Sequence, residues 1–164
     1  MSYPPQWKVM EIKSFFDAFY SPLPHFEDAE KHIFAAWVEQ TQNYGTYAFD
    51  VPVMSSAHLA EVEKFPPGVR EAAFYLTAKK IDAIKILNRD VWIIEVKKRP
   101  LASGVGQLLT YKDSFEQTYP DYRVRKLIYV VPLMDMDVKM TCDRMGIDFQ
   151  VVKGLEKLAT RWVY

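Results

Sequence analysis

A single cysteine, Cys142, stands in a chain of 164 residues, so no internal disulfide can form. The three histidines, His25, His32 and His58, share no spacing with it or with each other that a zinc site would need. They read as surface or packing residues, and Cys142 as helix packing. A reducing, cytoplasmic setting is the expectation. No run approaches the roughly 18 apolar residues of a membrane span. Met1-Ser2-Tyr3-Pro4-Pro5 also lacks the basic-then-apolar order of an export signal. A soluble, unexported protein with no membrane partner is expected. Excess charge of one sign is lacking too: Lys and Arg number 21, as do Asp and Glu, so no global field draws the chain to nucleic acid. Lys79-Lys80 and Lys97-Lys98-Arg99 would nevertheless gather positive charge in one place, which suits an enzyme touching few phosphates.

What is present is the composition of a globular domain, 49% apolar and 26% charged, which sets disorder aside. Without repeats, low-complexity tracts or a Gly/Ser linker, residues 1–164 read as one domain. Helices are predicted over Glu11–Tyr20, with Ile12, Phe15, Phe16 and Phe19 as its stripe, and over Glu27–Gln42, with Ile33, Phe34, Trp37 and Val38 inward. Tyr44–Met54 reads as a strand and His58–Gly68 as an irregular crossing, with another strand beginning near Glu71. Lys79–Leu87 and Val91–Val96 form a predicted hairpin around Asn88-Arg89, apolar on both faces and hence central. Ser103 is expected to cap a helix reaching Phe115. Strand Arg123–Val131, helix Asp135–Met145 stopped by Gly146, strand Ile147–Val152 and helix Leu155–Val163 follow. That order predicts an α/β fold in which helices flank a mixed central β-sheet.

Counting across the hairpin with Leu87 facing Asp90 puts Asp82 directly opposite Glu95, and Lys97, two residues on, points the same way. Like charges side by side on a strand pair are destabilising unless something neutralises them. A hard divalent cation does so, and Mg²⁺ commonly takes only one or two protein carboxylates. Such a centre can polarise a phosphoryl oxygen while Lys97 offsets charge on phosphorus, the skeleton of phosphodiester hydrolysis.

Lys80-Ile81-Asp82-Ala83 followed by Ile94-Glu95-Val96-Lys97 resembles the bipartite signature of the PD-(D/E)XK nuclease superfamily, with Ile81 where the family name carries proline. Gln107-Leu108-Leu109-Thr110-Tyr111 is similar to the QxxxY motif of its RecB/Cas4-like subset, its two named residues on one helix face. The resemblance implies a restriction-endonuclease-like core with its motifs within residues 80–111. It makes Asp82 and Glu95 metal ligands, the Val96 carbonyl a further one, Lys97 the catalytic lysine, and Gln107 and Tyr111 supports of substrate or metal. A glutamate on the preceding helix belongs to many members; Glu30 matches best by its inward phase, with Glu27 second. The implied cofactor is Mg²⁺, with Mn²⁺ as substitute. The implied partner is DNA, single-stranded, duplex or branched, with a homodimer or larger assembly in view. From a different class comes the alternative of a catalytically inactive nuclease-fold module binding nucleic acid or protein.

Overall fold

The computed structural model describes residues 4–21 and 27–159. Its centre is a six-stranded sheet whose spatial order follows the chain: β1 (Lys8–Ile12), β2 (Gly45–Val53), β3 (Lys79–Leu87), β4 (Asp90–Val96), β5 (Arg123–Val131) and β6 (Ile147–Val151). The first four strands pair antiparallel and the last three parallel, so the sheet is mixed. The parallel steps require crossovers, made by α5 (Ala102–Thr118) and α6 (Met136–Met145). On one face α5 and α6 close a core containing Leu108, Phe115, Cys142, Ile84 and Ile93. On the other, α1 (Phe15–Phe19) and α2 (Asp28–Thr41) close a second core around Ile33, Phe34, Trp37, Phe49 and Ile94. Among the described residues no helix is long and apolar enough to cross a membrane.

Three predicted elements differ. The expected helix Glu11–Tyr20 is strand β1 followed by α1, because Ser14 accepts a hydrogen bond from the Asp17 amide and starts the helix only at Phe15. Ile12 pairs opposite Gly45 instead, and Phe16, counted in the apolar stripe, is 68% exposed. The expected crossing and strand between residues 58 and 78 are two helices, α3 (Ser56–Val62) and α4 (Pro67–Thr77). Ser55 caps the first and Pro67 opens the second with its preset φ, and neither helix contains a buried residue. Ser103 is no cap. Helix α5 begins at Ala102 after Leu101 and runs on to Thr118. The closing helix is described as α7 (Glu156–Ala159); its predicted continuation to Val163, and His25, lie outside the described residues.

Candidate active site

The hairpin has the counted register. Leu87 faces Asp90, Lys85 faces Trp92 and Ala83 faces Ile94, with Asn88 taking the left-handed turn conformation at φ 61°. One step further Asp82 comes opposite Glu95, but the ladder stops at Ala83 and Ile94. The strands part where the acids sit. On the other side Lys97 N–H donates to the Val130 carbonyl at 3.0 Å, and the alternation of a parallel ladder then turns the Val96 carbonyl away from β5 toward the gap beside β3.

Glu95 is fully buried, 0% exposed. Its Oε1 lies 2.6 Å from Lys97 Nζ, whereas Oε2 has no hydrogen-bond partner among the described residues. Burial pushes its carboxyl above the usual range, and the Lys97 ammonium pulls it partly back. Asp82 is partly buried and is pushed up to about 8, by desolvation first and then by the Glu95 charge, against the pull of Lys97. Desolvation lowers Lys97, but the ion pair with Glu95, helped by Asp82 and Glu30, outweighs it and holds the ammonium above its ordinary value. The three side chains therefore share one field: two acids that resist ionising together and one cation that serves both.

Helix α5 brings the next pair. Tyr111 is buried, and the Gln107 side chain, one turn earlier on the same helix face, sits close enough to its hydroxyl to favour the ionised form slightly. Burial raises the phenol first, with the nearby charges of Glu95 and Asp82 adding to it, so the hydroxyl keeps its proton. Two residues outside the motifs seat this helix. Tyr129 Oη donates to the Leu101 carbonyl at 2.8 Å and accepts from the Leu101 amide at 3.0 Å. Its ring lies so close to Gly104 that an added Cβ would meet Tyr129 Cζ at 2.3 Å. Only the helical glycine at 104 hinted at this contact in the sequence; Tyr129 looked like any other strand aromatic.

Glu30 stands apart from the pair. Its carboxylate accepts the Glu27 amide at 3.2 Å and closes a capping box at the start of α2. Desolvation is the main cause that raises its pKa, partly offset by that hydrogen bond and by Lys97. Among the described residues no group of three Asp, Glu, His or Cys side chains is placed to hold an ion, and Glu30 borders the site, its charge acting on Asp82, Glu95 and Lys97. Glu27 is exposed and ion-paired to Lys98. Lys80 donates to the Tyr75 carbonyl at 2.8 Å and caps that ring. Beside Lys97, a cavity of about 250 Å³ is lined by Glu30, Lys98, Arg99, Leu101, Leu158 and Ala159. His32 packs against the Phe15 and Phe19 rings, and His58 is exposed at the start of α3.

A divalent cation fits what is here. Two carboxylates of hard oxygen character meet at a break in the sheet, one with a buried oxygen that lacks a partner, and a backbone carbonyl faces the same gap. The unsatisfied oxygen is the kind of exception that calls for an explanation, because leaving it bare costs more than most hydrogen bonds gain. No family model matches the chain, and neither curated proteins nor solved structures give a match.

Proposed function

We propose that the chain is a metal-dependent nuclease of the PD-(D/E)XK kind, with a restriction-endonuclease-like core and the QxxxY feature, hydrolysing DNA phosphodiester bonds with Mg²⁺ or Mn²⁺. One observation carries the reading: the fully buried Glu95, with an oxygen lacking any partner, lies beside Asp82 and within 2.6 Å of the Lys97 ammonium. Asp82, Glu95 and the Val96 carbonyl would hold the ion, which when bound polarises the phosphoryl oxygen and acidifies water. Lys97, drawn toward the site by Glu95, orients the attacking water and offsets charge on the phosphorus. Tyr111, with Gln107 one turn earlier on the same helix face, offers its hydroxyl to the carboxylates or to a phosphate oxygen. Arg99 and Lys98, on the cavity wall, supply cations for the neighbouring phosphates of the strand.

The direct test is cleavage of single-stranded, duplex and branched DNA with Mg²⁺ and with chelator. Product from wild type, lost in Asp82→Ala, Glu95→Ala and Lys97→Ala variants that still fold, supports the reading; no product on any substrate rejects it. A second reading draws on the Lys97 and Glu95 ion pair, which already neutralises one acid without metal. On that reading the chain is an inactive nuclease-fold module binding nucleic acid or a protein. Titration with Mg²⁺ separates the two: heat that vanishes in Asp82→Ala belongs to the enzyme, and no heat belongs to the module.

A further inference from the structure

Strand β2 changes faces halfway along. Tyr47 and Phe49 lie in the core under α2, and Ala48 in the core under α5, as alternation demands. After Asp50 the pattern breaks: Val51 and Val53 both join the core under α5, where continued alternation would have sent them to the other side. The cause is local. Asp50 has φ 51°, a left-handed residue inside a strand, whereas the other left-handed non-glycine residues described, Gln42 and Asn88, sit at a helix end and a hairpin turn. Asp is among the few side chains that tolerate this conformation, and such residues persist only where their surroundings hold them. Lys8 on β1 does the holding, its Nζ 2.8 Å from the buried Asp50 carboxylate.

The twist passes to β3. Phe49 pairs with Ala83 and Val51 with Ile81, but the intervening Asp50 and Asp82 do not pair. Ile81 shifts to the core under α5 while Ala83 stays under α2, so β3 turns over at Asp82 itself. This is also the position where β3 leaves β4, one residue past Ala83 and Ile94. We infer that Asp50, anchored by Lys8, is the positioning residue that turns Asp82 out of the regular ladder and into the site beside Glu95. The inference rests on the metal-site reading above.

Mg²⁺ titration calorimetry on wild type, Asp50→Gly and Asp50→Val tests it. Glycine takes the left-handed backbone without the carboxylate, so affinity should stay within about threefold of wild type. Valine, β-branched, forces φ back to the extended region, so affinity should fall by at least about tenfold. The crystal structure of that variant should show β3 and β4 paired through Asp82 and Glu95. If Asp50→Val does not fold, Asp50→Ala replaces it, with the same direction and a smaller loss. Two results overturn the inference: a folded Asp50→Val with wild-type affinity, or an Asp50→Gly that folds but loses as much as valine. A wild type that binds Mg²⁺ but cuts no DNA sinks the nuclease activity alone, and the same binding series still decides the role of Asp50. A wild type that binds no Mg²⁺ overturns both.

Discussion

Glu95 carries an uncompensated oxygen in a site where Asp82 already resists ionising, and that combination has consequences in the pH dependence of the apoprotein. With its carboxyl at about 8 in the fold, Asp82 binds its proton more tightly in the native than in the unfolded chain, where an aspartate titrates near 3.9. Its contribution to stability is therefore full in acid and drains away as pH rises from about 4 through about 8. Asp82→Asn cannot lose a proton, so its melting temperature should gain on wild type as pH climbs from 5 to 8; a constant difference across that range contradicts the assignment. Mg²⁺ needs the ionised acid, so binding at pH 7 should release a proton. Calorimetry in two buffers of different ionisation enthalpy reads that release, and identical apparent heats would count against it. Glu95→Gln should abolish Mg²⁺ heat and cut cleavage by about a hundredfold or more, and it should lower the melting temperature, because the half-buried Lys97 ammonium loses its partner.

At the scale of elements, helix α5 delivers Gln107 and Tyr111, and its placement depends on the close packing of Gly104 on Tyr129. Gly104→Ala should destabilise by about 1–3 kcal/mol through overpacking, despite alanine's better helix propensity. On the nuclease reading, cleavage should fall with it as Gln107 and Tyr111 are displaced on α5. Chemical denaturation and steady-state rates check both, and a stabilised Gly104→Ala would refute the contact. Tyr129→Phe, which keeps the ring but drops the two bonds to Leu101, should cost about 1 kcal/mol. The hairpin of β3 and β4 was legible because its two-residue turn makes position numbers add to a constant, which is how Asp82 was matched to Glu95. Strand β1 was not, since its five residues acquire strand character only by pairing with β2. Helices α3 and α4 were not legible because Pro66-Pro67-Gly68 between them reads as a breaker, whereas Pro67 sits at the first turn of α4, where proline's missing amide is no loss.

For the whole molecule, 21 positive and 21 negative side chains leave no broad field for nucleic acid. If the chain cuts DNA as proposed, contacts should come from the few cations near the site, Lys97, Lys98 and Arg99. DNA affinity should therefore depend on salt with a log–log slope of about −2 to −3, far shallower than that of proteins neutralising many phosphates. Fluorescence anisotropy across a salt series, with chelator present to stop cleavage, measures it. A slope several times steeper would reveal a positive surface that the site residues do not supply.

The chain's own pattern determined the alternation of strand and helix from Tyr44 onward in most of its course, the hairpin register, and the identity of Asp82, Glu95, Lys97, Gln107 and Tyr111 as candidates. The elements, the hairpin register and the meeting of Asp82, Glu95 and Lys97 follow from periodicity and from short-range counting, which act over a turn or a strand pair, whereas Gln107 and Tyr111 became candidates through the resemblance to the QxxxY motif. What only the tertiary structure decided depends on contacts between distant segments: that Tyr129 and Gly104 seat α5, and that β3 parts from β4 at Asp82. A left-handed Asp50 held from a neighbouring strand leaves no periodic trace, because one backbone angle reverses a face without changing the letters that follow.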